Sequence, residues 1–148
     1  MLINLLTGLP VILLCLVLQA LFISWCLRAY LRFRPYTQTS NALLPDILVL
    51  SAVMLLLMLG NCLQMALWAG LFVLLGEFDS LLTALYFSGV TFATLGYGDL
   101  VLSPQWRLLS ALEAANGILM FGVSTAVMTA AINDVFKHNL ARHTQHQP

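Results

Sequence analysis

The sequence predicts an all-α integral membrane protein with three transmembrane helices and a re-entrant helix and loop between the second and third. Apolar residues make up 61% of the 148-residue chain and charged residues only 8%. A soluble domain carries about a quarter charged residues because water must wet its surface, so most of this chain is predicted to face lipid. The formal net charge is zero, so we expect no nucleic-acid partner.

The first apolar run, from about Leu5 to Leu27, is long enough to cross a bilayer, which takes roughly 20 residues. Basic residues follow this run and none precedes it, which is the reverse of a cleaved signal peptide. Because basic residues favour the cytoplasmic side, the N-terminus is predicted to lie outside the cell membrane (plasma or inner). Residues 1–41 are therefore expected to form a transmembrane helix and a basic cytoplasmic loop.

The second run extends from about Ile47 to Leu75, after a polar connection over residues 34–41. Asn61 and Gln64 lie near its middle, three residues apart, and so share one face of a helix. Polar side chains inside a membrane favour contact with other helices, so we expect this face to contact protein rather than lipid.

The third run, Leu81 to Ala93, is too short to span a bilayer and is predicted to form a re-entrant helix. Asp79 or Ser80 is the expected N-cap. The last span, from about Arg107 to Phe136, ends in basic residues and returns the chain to the cytoplasm. We expect residues 42–136 to form one module and residues 137–148 a short cytoplasmic tail.

The chemistry is predicted to lie in the loop after the re-entrant helix, which reads Thr94-Leu95-Gly96-Tyr97-Gly98-Asp99. Irregular backbone is tolerated at membrane depth only where protein or a water-filled cavity surrounds it. Gly96 and Gly98 allow positive φ angles that other residues avoid. Such a strand can turn successive carbonyl groups toward one axis while the side chains of Leu95 and Tyr97 point away.

This loop resembles the selectivity-filter signature of the potassium-channel pore family, Thr-Val/Ile-Gly-Tyr-Gly. Upstream, Ala84-Leu85-Tyr86-Phe87-Ser88 resembles the aromatic pair of that family, which packs behind the filter. Downstream, residues 117–122 resemble its inner-helix stretch with a hinge glycine. The resemblance covers residues 81–129 and a generic outer helix, and the first span lies outside the family's two-span core.

The resemblance implies a homotetramer in the lipid bilayer to which each subunit contributes one loop. Carbonyl oxygens of Thr94, Leu95, Gly96 and Tyr97 would replace the hydration shell of a potassium ion, and the Thr94 hydroxyl would line the innermost site. Gly98 and Asp99 would shape the outer mouth. No cofactor is expected other than the permeant potassium ion.

Several residues outside the filter are candidates for supporting roles. Glu77, Asp79 and Asp99 would form acidic rings that concentrate cations, although Glu77 and Asp79 are equally well explained as solvated loop acids. The residues expected to support the filter are Tyr86, Phe87 and Glu113. A carboxylate inside a membrane span is a functional candidate by default, and for Glu113 we expect a structural role beside the filter.

The last span carries a candidate hinge and cavity formed by Gly117, Phe121, Gly122 and Thr125. Glycine lowers the cost of bending a helix, but close packing of small residues explains the glycines comparably well. Phe121 and Thr125 are one turn apart and would line the cavity, where a hydrophobic constriction can gate a pore.

The sequence thus predicts a subunit of a potassium-selective channel that conducts passively. Leu95 and Ala93 depart from the family's pattern, in which Val or Ile and a second Thr are usual. A weakly selective cation channel is therefore one alternative, and a nonconducting scaffold or regulatory subunit with a pore-like fold is another. An enzyme is not expected, because no nucleophile–base pair or metal cluster appears.

Overall fold

A computed structural model describes residues 1–37 and 43–145 of the chain. These residues form four helices and no strand, which confirms the all-α prediction. The helices are α1 (Leu2–Thr37), α2 (Leu43–Leu74), α3 (Leu81–Phe92) and α4 (Arg107–Gln145).

Three stretches of the described residues are long and apolar enough to cross a membrane: Leu2–Ala29, Asp46–Leu74 and Arg107–Lys137. They agree with the predicted spans to within a few residues. The chain is accordingly a multi-pass membrane protein, and α3 is the short apolar helix between its second and third spans.

Helix α1 continues to Thr37, into the polar connection predicted over residues 34–41. The rest of that connection lies outside the described residues. Likewise, α4 continues through the predicted tail to Gln145. Polar side chains end the membrane span without ending the helix, since a helix depends on its own backbone hydrogen bonds rather than on apolar side chains.

The N-terminus lies at the same end of the molecule as the loops around α3. The side-chain amide of Asn4 donates a hydrogen bond to the backbone oxygen of Gln105, just before α4, at 2.9 Å. Toward the other end of α1, Cys26 is buried with Val53 and Leu57 of the first half of α2. Helix α1 therefore runs alongside the other two spans over most of its membrane-spanning length.

The main core lies beneath the α3 loops, where all four helices meet. Its buried members are Cys15, Trp68, Phe72, Phe87, Phe92, Leu102, Leu109 and Met120. Asn61 and Gln64 are 7% and 0% exposed, which confirms that this polar face of α2 contacts protein. Large apolar side chains on the outer face of α1, such as Leu13 and Leu21, remain exposed and are the lipid-facing surface.

Candidate ion-conduction site

The chain leaves α2 through a tight cap that directs it toward α3. Gly76 has a φ of 74°, in the left-handed region that favours glycine. Its N–H donates to the oxygen of Val73 at 3.0 Å, and the N–H of Glu77 donates to that of Phe72 at 3.0 Å. These two bonds form a Schellman motif, which satisfies carbonyl groups at the end of α2.

Helix α3 begins after Ser80, which occupies the predicted N-cap position with extended backbone (φ −116°, ψ 129°). Its hydroxyl makes no capping hydrogen bond. The buried side chains of α3 are Ala84, Phe87, Ser88, Thr91 and Phe92. They share one face of the helix, which fixes α3 against α2 and α4.

A second Schellman motif turns the chain from α3 into the candidate filter. The N–H of Thr94 donates to the oxygen of Thr91, and the N–H of Leu95 donates to that of Val90, both at 2.9 Å. Thr94 has a φ of 59° and occupies the position that glycine usually takes in this motif. A left-handed conformation costs a non-glycine residue about 1–2 kcal/mol, so the surrounding structure holds Thr94 in place.

The left-handed conformation recurs at every second residue of the loop. The φ angles are 59° at Thr94, 55° at Gly96 and 78° at Gly98, while Leu95 and Tyr97 have negative φ. A backbone that alternates between left-handed and right-handed residues directs successive N–H groups to one side. The opposite side of such a segment presents carbonyl groups, which are the ligands that hard cations prefer.

A hydrogen bond joins α3 to the outer end of this loop. The hydroxyl of Tyr86 donates to Oδ2 of Asp99 at 2.7 Å. This bond to a carboxylate raises the pKa of Tyr86 above its usual value, because it stabilises the protonated phenol. Tyr86 therefore lies where it can hold Asp99, and its role in supporting a filter stays a prediction.

Phe87 points in a different direction from Tyr86, so the two do not form a stacked pair. It is 5% exposed, and its ring meets that of Phe72 edge to face with centroids 5.3 Å apart. The ring of Phe78 lies 5.1 Å away on another side. Phe87 thus anchors α3 to the outer end of α2, and any support it gives the filter is indirect.

Of the predicted mouth acids, Asp79 and Asp99 are exposed, whereas Glu77 is partly buried. One oxygen of the Glu77 carboxylate accepts a hydrogen bond from the backbone N–H of Ser103, and the other accepts one from the Ser103 hydroxyl, both at 2.7 Å. Glu77 therefore braces the loop before α3 against the loop after the filter and does not present a free carboxylate.

Glu113 lies fully buried behind α3. The Ser88 hydroxyl donates a hydrogen bond to its carboxyl group and also lies 2.8 Å from the backbone oxygen of Met65. Ser88 on α3 thus contacts polar groups of both α2 and α4. This junction gives Glu113 a position beside the filter-bearing helix and away from solvent, in keeping with a structural role.

The two glycines of the predicted hinge have different surroundings. A Cβ atom added at Gly117 would overlap the backbone oxygen of Phe92, so α4 packs against the C-terminal end of α3 at this point. A Cβ atom at Gly122 would have no neighbour within 4 Å among the described residues. The structure therefore gives Gly117 a packing role, and α4 remains helical through both residues.

Phe121 and Thr125 extend the same side of α4. The ring of Phe121 meets that of Phe92 edge to face at 5.5 Å and stays 37% exposed. The Thr125 hydroxyl donates to the backbone oxygen of Phe121 at 2.8 Å, within its own helix. Both side chains line an open surface below the filter loop, and their role as cavity residues stays a prediction.

Two features of the site were not predicted from the sequence. Ser88 was noted only as part of an aromatic stretch, although a hydroxyl on the apolar face of a short helix signals a polar partner in a neighbouring helix. The left-handed Thr94 has no signal in its residue type, because threonine rarely adopts that conformation.

A family model described as "Ion channel" matches residues 47–134, which include most of α2, all of α3, the candidate filter loop and most of α4. The chain belongs to this family of two-span ion-channel domains and is therefore related to channels rather than to enzymes. Helix α1 adds a span before the matched region. No curated protein and no solved structure gives a significant match to the chain.

Proposed function

We propose that this chain is the pore-forming subunit of a potassium-selective channel that conducts passively. One observation carries the proposal: Thr94, Gly96 and Gly98 are left-handed in alternation, in a loop at the C-terminal end of a half-length helix. That backbone can line an axis with carbonyl oxygens, which can replace the hydration shell of a monovalent cation. The module of residues 42–136 would form the pore.

The electrostatics of the loop favour a cation. The C-terminal end of α3 leads directly into the filter, and a helix C-terminus carries partial negative charge. In the low dielectric of a membrane this charge is effective over a longer distance than in water. Asp79 and Asp99 are exposed at the outer end and would raise the local cation concentration.

A single loop cannot surround an ion, so the proposal includes assembly into a homotetramer. Leu95 and Tyr97 are 56% and 66% exposed in one chain, although large apolar and aromatic residues at membrane depth need a protein partner or lipid. An open cleft of about 380 Å³ flanks the filter, between Gly96 and Ala111 of α4. Neighbouring copies would cover this flank and bring four filter loops to one axis.

The test is cation flux into liposomes that contain the purified full-length protein, with potassium and sodium compared in turn. Gly96→Ala is the diagnostic variant, because alanine resists a φ of 55° and would break the alternation. Gly70→Ala in α2 is the matched control, since a Cβ atom there has no neighbour within 4 Å among the described residues. Wild-type protein and the control should conduct potassium in preference to sodium, and Gly96→Ala should not conduct.

Other outcomes of the flux measurement would support a different function. Equal sodium and potassium flux would indicate a weakly selective cation channel, as the departures at Leu95 and Ala93 suggest. Absence of flux from a folded tetramer, at both voltage signs and several pH values, would favour a nonconducting scaffold or regulatory subunit. A chain that stays monomeric in bilayers would rule out a filter formed by loops from four subunits.

A further inference from the structure

Helix α1 lies outside the family match at residues 47–134, yet it is bound into the channel module by a buried polar cluster. The members of this polar clamp are Gln19 of α1, Asn61 and Gln64 of α2, and Ser124 of α4. Gln19 and Gln64 are 3% and 0% exposed. Polar side chains at this depth are costly in lipid, so their mutual contacts hold the three spans together.

The hydrogen bonds of the polar clamp run in one direction from α2 to α4. Nε2 of Gln64 donates to Oε1 of Gln19 at 2.7 Å, and Nε2 of Gln19 donates to the Ser124 hydroxyl at 3.1 Å. Ser124 in turn donates to the backbone oxygen of Met120 at 2.8 Å. Asn61 lies at the limit of hydrogen-bond distance from Ser124, at 3.5 Å. Gln64 therefore orients Gln19, and Gln19 holds Ser124.

Close backbone packing surrounds the polar clamp on both sides. Nearer the N-terminus, a Cβ atom added at Gly8 of α1 would lie 2.8 Å from Leu112 of α4. Toward the other end, a Cβ atom at Gly60 of α2 would lie 3.2 Å from the ring of Phe22 of α1. Such contacts leave little room for α1 to slide, so a shift of α4 must break the bond between Gln19 and Ser124.

The position of Ser124 along α4 gives this contact a functional meaning. It lies beyond Gly117, which packs against the end of α3, and two residues beyond Gly122. The first half of α4 is thus fixed both to α3 at Gly117 and to α1 at Gly8. The half that begins near Ser124 is held to α1 by the hydrogen bond from Gln19. A pore that opens by movement of that second half would have to release the polar clamp.

We propose that Gln19 is a positioning residue for α4, and that the first span thereby sets the balance between the open and closed states of the pore. The inference rests on the proposed conduction and adds a role for the span that the family match leaves out. The contact stabilises the arrangement described here, so its loss favours the alternative position of α4.

Single-channel recording from the full-length protein in planar bilayers tests this role. Gln19→Leu and Ser124→Ala each remove the same contact, so each should change the ratio of open to closed time in the same direction. Loss of one polar contact between transmembrane helices should change the ratio of open to closed time by about threefold per subunit. The double variant should change the ratio no more than the larger single effect, and unitary conductance and ion selectivity should stay constant because the filter is untouched.

The control is Ser24→Ala, which removes a hydroxyl from the same helix at an exposed position. An open-to-closed ratio unchanged by Gln19→Leu and Ser124→Ala, or effects that simply add, would overturn the inference while the wild-type conduction still supports the proposed function. Absence of wild-type conduction would overturn the proposed function itself, and the positioning claim then depends on a second measurement.

That measurement uses the native cysteines, followed one by one by mass spectrometry after maleimide labelling in detergent. Cys15 and Cys26 are 0% and 3% exposed on the packed face of α1, whereas Cys62 is exposed and reports on general reactivity. Release of α1 in Gln19→Leu should speed the labelling of Cys15 and Cys26 relative to Cys62. Unchanged relative rates would show that Gln19 does not position the helix.

Discussion

Tyr86 connects the filter-bearing helix to the outer end of the loop through a single hydroxyl group, 2.7 Å from Asp99. Tyr86→Phe keeps the ring and removes this bond, so Asp99 gains freedom at the mouth of the filter. An exposed hydrogen bond contributes little, and we expect potassium flux to fall by no more than about fivefold. Liposome flux measures the effect, and the same substitution in an Asp99→Asn background should change flux less.

The pH dependence of that bond has a definite sign. The folded pKa of Tyr86 is raised above its unfolded value of about 10. The cause is the hydrogen bond that the protonated phenol donates to the Asp99 carboxylate, which stabilises the protonated form. The stabilisation from this hydrogen bond is therefore fully present below the unfolded pKa of Tyr86. It is lost as the pH rises through the folded pKa. Wild-type and Tyr86→Phe flux should converge in alkaline solution. A difference that persists or widens there would contradict this account.

Single residues are also where prediction from the sequence was weakest. The alternate glycines at Gly96 and Gly98 correctly predicted left-handed backbone, because glycine is the residue that adopts it readily. The same conformation at Thr94 depends on the cap that ends α3, which residue type alone does not indicate. Glu77 was predicted as a mouth acid, but its bonds to Ser103 come from a loop 26 residues away.

Packing between elements decides the role of the glycines in α4. Gly117→Ala would place a methyl group onto the backbone oxygen of Phe92, so α4 must move away from the end of α3. Overpacking of this kind costs about 1–3 kcal/mol, and here the displaced atom is backbone, which yields less readily than a side chain. We expect a clear loss of thermal stability, measured by melting of the detergent-solubilised protein.

Gly122→Ala distinguishes packing from hinge flexibility. A Cβ atom at Gly122 has no neighbour within 4 Å among the described residues, and alanine favours a helix over glycine by about 1 kcal/mol. The melting temperature of the Gly122→Ala variant should therefore equal or exceed that of the wild type. Equal destabilisation by both substitutions would mean that the contact with Phe92 is not what matters at Gly117.

At the level of elements, the order of the helices could be read from the sequence because each has a distinct length of apolar run. Length separated α3 from the three spans, and the polar pair Asn61 and Gln64 identified the packed face of α2. The partners of that face were not predictable, since hydropathy does not indicate which helices meet. Helix α1 consequently had no predicted role, although Gln19 was a polar residue in an otherwise apolar run.

Across the whole molecule, the N-terminus and the loops around α3 lie at one end, and the end of α4 lies at the other. The contact from Asn4 to Gln105 places the N-terminus beside the filter loops, and three spans then place the end of α4 on the opposite side. The distribution of basic residues predicts the absolute orientation. Of the six basic residues, only Arg107 lies at the filter end, and the other five flank the opposite ends of the spans.

We therefore predict that the N-terminus and the filter loops face outward and the C-terminus faces the cytoplasm. A green fluorescent protein fused to the C-terminus should fluoresce in bacterial cells, and an epitope at the N-terminus should be cleaved by protease added outside intact cells. Replacing Arg28 and Arg32 by glutamine should weaken this preference, because it removes charge next to the first span. An N-terminal epitope protected in intact cells, with a C-terminal epitope cleaved, would establish the inverted orientation. Tyr86, Asp99 and the outer end of the filter would then face the cytoplasm, and the alkaline effect on flux would have to be sought from that side.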